Sequence, residues 1–331
     1  MLELDRGDAR PYLAQQLGVA PECLRATSLG GGVSNHVFLV EAGPLRCVVK
    51  QSLGRLRVEA EWLSRRDRIH RECAALRAVA PALPAGAVPA VLFEDRENYV
   101  FGMEAAPAGA QPWKTGLMAG EVREELAEEA GRLLGTWISE SAGRPEWCGE
   151  FGDLTVFGEL RVDPYYRFTA DRHPELRERF AALIEECLGR RVSLVHGDYS
   201  PKNLLVCGGG LMAIDWEVVH WGDPSFDAAF LTNHLLLKAV CVPGAGTRLA
   251  SAAGAFWRGL SATAGPAAGW LEPAAMRHLG CLLLARVDGK SPAEYVRDES
   301  LKSKLRGAAR DLILRPPLSA AEALERVMRW T

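Results

Sequence analysis

The spacing of apolar positions changes character along this chain. Near the amino end it comes in short runs bounded by turn residues. Leu24 to Leu29, His36 to Val40 and Arg46 to Lys50 read as strands, the last reached through a Gly43-Pro44 turn. From Asp67 to Val79 the period becomes helical, with Ile69, Cys73, Leu76 and Ala80 on one face and Asp67 placed to cap the start. After a Pro/Ala-rich connector from Pro81 to Ala90, Tyr99 to Glu104 reads as another apolar strand. It ends in Ala105-Ala106-Pro107-Ala108-Gly109, a break that predicts a hinge between two lobes, 1–104 and 105–331. Beyond the hinge, helical spacing recurs through Val122 to Ile138, Leu176 to Leu188, Phe226 to Val240, Leu249 to Leu260 and Met276 to Leu284, with charge largely on the opposite faces. Asp223-Pro224 offers a cap and a first-turn proline for the third of these. Ala285 to Pro292, with clustered charge, Gly and Pro, reads as a loop bordering a pocket.

Three short strands interrupt the helices: Ser193 to Val195, one beginning at Leu204, and Leu211 to Trp216. Their ends carry the chemistry. Asp198 follows His196-Gly197 at the end of the first strand, Asn203 stands five positions later, and Asp215 follows Ala213-Ile214 where the chain must turn. Each alone is an ordinary turn residue. Together they form an ordered set that suits metal-assisted phosphoryl transfer, because magnesium prefers oxygen ligands and a carboxylate beside an acceptor hydroxyl orients it and takes its proton. Asp198 would act on the hydroxyl, and Asn203 with Asp215 would hold the metal.

The amino-terminal strands flank Gly30-Gly31-Gly32-Val33-Ser34-Asn35, where glycines let backbone N–H groups approach phosphate oxygens; a ligand-free hairpin would use them equally well. Lys50 ends an apolar strand, and Glu72 projects near the buried face of the following helix, where a carboxylate is costly unless paired. Its candidate partners are Lys50 and Arg68.

The motifs HGDYSPKN and IDWE resemble those of the aminoglycoside phosphotransferase and choline kinase group within the protein-kinase-like superfamily. The resemblance implies a two-lobed α+β fold, with a small antiparallel sheet and one main helix ahead of a larger, mainly helical lobe. It implies ATP, with GTP as the alternative, and Mg2+ as cofactors. Asp198 becomes the catalytic residue, Asn203 and Asp215 the metal ligands. Gly31, Gly32, Ser34, Asn35, Lys50 and Glu72 become the phosphate-binding set, and the backbone of Glu104 and Ala106 the adenine contact. His196 and Asp227 become structural supports of the catalytic loop. Acceptor contacts are expected among Glu217, Tyr166, Trp221 and Asp288, with Asp163, Tyr165 and Trp216 as further candidates. The segment from Lys50-Gln51 through Arg57-Val58 to the Trp before the helix resembles the methylthioribose kinases.

The expected acceptor is a small-molecule hydroxyl, on an aminoglycoside or related antibiotic, a sugar such as methylthioribose, or an amino alcohol. Aminoglycosides are cations and would want an acidic pocket, and none assembles in the sequence. A catalytically silent nucleotide-binding module is the competing reading. Against it stands the full set Lys50, Glu72, Asp198, Asn203 and Asp215. A protein kinase ranks last, since only seven residues separate Asp215 from Asp223, too few for an activation loop.

Composition narrows the setting. The chain has 331 residues, enough for two lobes with their own cores, and 39 basic against 42 acidic residues give a formal charge of −3 with no basic block for nucleic acid. No run approaches the roughly 18 apolar residues of a membrane helix, and the charged start MLELDRGDARP lacks the apolar core of a signal peptide, so a cytoplasmic location is expected. Eight cysteines without a C-x-x-C pair, together with the Arg65-Arg66 pair, read as reduced thiols and a solvated basic step.

Overall fold

The short apolar runs near the amino end become one sheet. In the computed structural model, which describes Leu4 and residues 9–30, 35–54 and 65–331, helix α1 (Arg10–Leu17) precedes strands β1 (Arg25–Ser28), β2 (Asn35–Ala42) and β3 (Leu45–Ser52). Helix α2 (Arg68–Val79) follows, then β4 (Val91–Asp95) and β5 (Val100–Glu104). The five strands pair antiparallel in the order β1-β2-β3-β5-β4. Successive side chains on a strand face opposite ways. Val40, Cys47, Val49 and Val100 therefore pack with Leu13 and Ala14 of α1, while Phe101 and Met103 join Ile69, Cys73 and Leu76 of α2. Lys50, directly across from Phe101, lies on the α2 face of the sheet.

Asp67 does not cap α2. Its own backbone is already helical and its carboxylate is taken by the exposed Arg65. Arg66 is likewise more than solvated: it donates to the Ser52 carbonyl at 2.9 Å and its guanidinium lies 4.7 Å over the Tyr99 ring.

After β5 come β6 (Gln111–Pro112), α3 (Trp113–Met118), α4 (Glu124–Ala142) and the short helices α5 (Trp147–Phe151) and α6 (Thr155–Phe157). A wide, i→i+5 helical stretch over Gly158–Arg167 leads into α7 (Phe168–Arg172) and α8 (Arg177–Gly189). Four short strands follow: β7 (Ser193–Val195), β8 (Leu204–Cys207), β9 (Gly210–Ala213) and β10 (His220–Gly222), with β8 between β6 and β9, and β7 against β10. The carboxyl-terminal part is all helix: α9 (Ser225–Cys241), α10 (Gly246–Thr263), α11 (Ala268–Asp288), α12 (Glu299–Leu314) and α13 (Ala320–Trp330). Helices α4 and α10 approach so closely that a Cβ on Gly259 would lie 2.0 Å from the Glu128 carbonyl oxygen.

Two boundaries differ from the sequence expectation. Helix α11 continues through 285–288, because Ala285 and Val287 are buried with the core and Asp288 is held in place by Arg306 and His173. The loop therefore begins at Gly289. The strand read to Trp216 stops at Ala213, and Asp215 stands in the left-handed region with φ of 68°. All eight cysteines are free thiols, and among the described residues no helix is long and apolar enough to cross a membrane.

Candidate active site

The loop after β7 is held from below by α9. Asp227 accepts the backbone N–H groups of His196 at 2.6 Å and Gly197 at 2.9 Å, one on each carboxylate oxygen. Burial pushes its carboxyl up to about 7, against those two bonds. Gly197 has φ of 78°, and a Cβ there would sit 2.7 Å from Val218 Cγ1 and 2.8 Å from the Val218 carbonyl oxygen. The position needs glycine for conformation and for space. His196 is buried, and burial lowers its pKa to about 4. Its Nδ1 accepts the Asp198 N–H at 3.1 Å, which leaves Nε2 to donate to the Ile214 carbonyl at 3.1 Å. The ring thus ties the loop bearing Asp198 to the segment bearing Asp215. Trp137 lies beneath both, with its ring 5.0 Å from Tyr199 and 4.9 Å from Trp216.

Asp198 sits between two side chains. Arg161 places Nη2 at 2.9 Å from Oδ1, and Asn203 donates Nδ2 to Oδ2 at 2.7 Å. With Nδ2 spent, the amide oxygen of Asn203 is the atom available to a cation. Arg161 also donates Nε to the Gly197 carbonyl at 2.6 Å and Nη1 to the Leu160 carbonyl at 2.7 Å, so its fork is fixed. The sequence reading missed this arginine, which arrives from the wide helical stretch 36 residues upstream of Gly197. Its local sequence, Glu159-Leu160-Arg161-Val162-Asp163, carries charge on both sides and gives no signal for it.

Lys50 joins the two lobes. Its ammonium lies 2.7 Å from Glu72 Oε1 and 2.8 Å from Asp215 Oδ1. Glu72 therefore pairs with Lys50 and not with Arg68, which instead donates Nε to Glu217 at 3.1 Å. One ammonium serves two carboxylates. Burial pushes Glu72 up to about 7 against the pull of Lys50. For the less buried Asp215, the burial effect is outweighed by Lys50 and then Lys202, which hold it well below the usual carboxylate range. The Ile214 N–H donates to the Asn203 carbonyl at 2.9 Å, so the two expected metal ligands stand side by side. An amide oxygen and a low-pKa carboxylate form a hard-oxygen donor set of the kind magnesium takes. Glu72 Oε2 is buried without a partner close by.

In the segment after β5, the Glu104 N–H is spent on the Ala90 carbonyl and the Ala106 carbonyl accepts from Arg46. Among the described residues the Ala106 N–H has no partner, and it can donate to a ligand. Gly31, Gly32 and Ser34, with Arg57 and Val58, lie outside the described residues. Asn35 lies at the start of β2 and donates Nδ2 to Glu217 Oε2 at 2.9 Å.

The acceptor candidates fare differently. Glu217 is at the site, but Asn35 and Arg68 occupy its carboxylate. Tyr166 is corrected to a core residue: it is fully buried, its hydroxyl 2.7 Å from His278 Nδ1. Trp221 is corrected likewise, since its ring is buried on β10 and Nε1 donates to the Arg191 carbonyl at 3.1 Å. Asp288 is bound by both arms of Arg306 at 2.8 Å and faces α12. Trp216 is fully buried, and Asp163 is exposed and paired with Arg167. Of the further candidates only Tyr165 stands toward the site, its ring 5.9 Å from the Arg161 guanidinium.

Known proteins share this arrangement of elements. Methylthioribose kinase 2 of Oryza sativa subsp. japonica is 27% identical over 257 residues, covering 69% of this chain and 60% of that protein. Methylthioribose kinase of Escherichia coli O45:K1 (strain S88 / ExPEC) is 28% identical over 274 residues, covering 70% and 64%. The chain thus spans less than two thirds of the length of these curated relatives. Among solved structures, amicoumacin kinase hAmiN in complex with AMP-PNP, Ca2+ and Ami superposes with a TM-score of 0.57 at 15% identity, covering 95% of this chain and 96% of that one. The streptomycin-ATP-APH(2")-IIa ternary complex gives a TM-score of 0.50 at 14% identity, covering 97% and 99%. These two likenesses establish a two-lobed kinase-like α+β fold. The sequence model of the phosphotransferase enzyme family matches residues 25–270, three quarters of the chain, and this chain belongs to that family.

Proposed function

We propose that this phosphotransferase moves the γ-phosphoryl group of ATP to a hydroxyl of a small molecule, with Asp198 as the residue that orients the hydroxyl and accepts its proton. The observation that carries the reading is the junction of Lys50 with Glu72 and Asp215 beside the Asp198–Asn203 pair. Lys50 would contact the α and β phosphates, with Glu72 fixing its position. Asn203 and Asp215 would hold Mg2+, which when bound neutralises charge on the phosphates. The Ala106 N–H would receive the adenine edge. Arg161 and Asn203 hold the two oxygens of Asp198 in one orientation, so the base is aimed before the acceptor arrives.

The relatives named methylthioribose kinase favour a sugar hydroxyl as the second reading of the acceptor. The test is Asp198→Asn. Turnover of a hydroxyl acceptor should be lost while magnesium-dependent nucleotide binding, followed by calorimetry, keeps its affinity. Turnover within tenfold of the parent would remove Asp198 from the role of base.

A further inference from the structure

Tyr165 and the Lys114 backbone link the site to a group of cations that the phosphoryl-transfer machinery does not use. Lys238 is fully buried in α9, and among the described residues its ammonium makes one hydrogen bond, a 3.3 Å contact to the His234 carbonyl one turn back. Its ammonium lies 5.2 Å from the Tyr295 ring, and Lys114, from α3, lies 6.0 Å from the same ring. Arg286, from α11, is buried and donates Nη1 to the Tyr165 hydroxyl at 3.3 Å and to the Ser291 carbonyl at 2.5 Å. The Arg286 Nε N–H and the Tyr295 hydroxyl are buried and, among the described residues, have no partner. Among the described residues no carboxylate stands within ion-pair distance of Lys238 or Arg286. The one acid in the group, Glu294, is exposed and spent on Lys114.

The group is continuous with the reacting end. Tyr165, whose hydroxyl accepts from Arg286, has its ring 5.9 Å from the guanidinium of Arg161, which holds Asp198, and the Lys114 N–H donates to the Pro201 carbonyl of the catalytic loop at 2.8 Å. An ammonium buried without a counter-ion costs several kcal/mol in the general case. Burial, with Lys114 and Arg286 close by, lowers Lys238 to about 7. The group has donors to spare, and its one carboxylate, Glu294, is taken by Lys114.

We propose that the acceptor molecule is a hydroxylated organic anion whose carboxylate or phosphate group is received by Lys238, Arg286 and the Tyr295 hydroxyl, with its reacting hydroxyl directed to Asp198. This rests on the kinase reading for the role of acceptor, but the anion pocket itself does not. A polycationic acceptor such as an aminoglycoside would meet like charge here.

The experiment uses the full chain, with and without saturating magnesium and AMP-PNP, titrated by calorimetry with inorganic phosphate and separately with acetate. The expected result is saturable binding of at least one anion, weakened tenfold or more in both Lys238→Met and Arg286→Gln, with nucleotide affinity unchanged. Preference for phosphate over acetate, or the reverse, names the anionic group. Lys238→Met should also melt no lower than the parent, because it replaces a buried uncompensated ammonium by an apolar chain of similar length. Absence of anion binding by the parent, or binding untouched by either folded variant, overturns the proposal. Loss of nucleotide binding by the parent would strike the kinase reading alone, since the anion titration still decides the pocket.

Discussion

Gly197→Ala separates backbone conformation from packing at the residue that delivers Asp198. An L-residue at φ of 78° pays about 1–2 kcal/mol for the left-handed conformation. The new methyl would also meet Val218 Cγ1 at 2.7 Å and the Val218 carbonyl oxygen at 2.8 Å. The Cγ1 contact can be relieved by a rotamer change, but Val218 Cβ, at 2.9 Å, and the carbonyl belong to a fully buried residue and cannot retreat without moving its neighbours. Overpacking of this kind costs about 1–3 kcal/mol. The expected loss is therefore about 2–5 kcal/mol in urea unfolding followed by circular dichroism at pH 7. Val218→Ala placed on top of Gly197→Ala removes the Cγ1 clash but leaves the φ cost and the carbonyl contact, so it should restore only part of the loss, after subtraction of its own cavity cost. Turnover should fall further than the folded fraction explains, because the strain enters between the Asp227-bound N–H groups and Asp198. A Gly197→Ala loss below about 1 kcal/mol would refute both the conformational and the steric argument.

Arg161→Met should lower turnover by about a hundredfold through misplacement of Asp198 while leaving the affinity for magnesium-nucleotide intact, and equal loss of both would show that it acts on the whole fold. Lys50→Met leaves Glu72 and Asp215 without their shared cation and should cost about 3–5 kcal/mol in urea unfolding, with Glu72→Gln added to it recovering part; additive losses in the double variant would contradict the shared-cation geometry. His220 and His278 are buried, and burial lowers each to about 3. A histidine depressed in the folded state contributes stability that is present above its unfolded pKa of about 6.5 and is lost as the pH falls below it. Each should add about 1.4 kcal/mol per pH unit to the acid sensitivity between about pH 6 and pH 4, and His278→Gln should reduce that slope by one such share; an unchanged slope would place His278 in contact with water.

The parts of this site that were legible in the sequence are those fixed by local spacing. Asp198 and Asn203 are joined by one loop, and Asp215 ends a strand that must turn, so their order alone suggests a shared cation. Lys50 and Glu72 needed one step more. The period of two on β3 and the helical period on α2 each put a charged group on the buried side, and two buried charges of opposite sign have little choice but each other. Arg161, Lys238 and Arg286 had no such local logic. Each lies on a helix whose neighbours in space are distant in sequence, and Tyr166 and Trp221 misled for the same reason, since an aromatic at a plausible spacing is equally suited to the core. Yet one signal was present. Lys238 follows the apolar step Leu235-Leu236-Leu237 in a helix that is buried along nearly its whole length, and a lysine kept there against the desolvation penalty is the same anomaly in sequence that the buried ammonium is in structure. A buried charge whose own helix offers only the His234 carbonyl points to a counter-charge supplied from elsewhere, and among the described residues no carboxylate stands within ion-pair distance of Lys238.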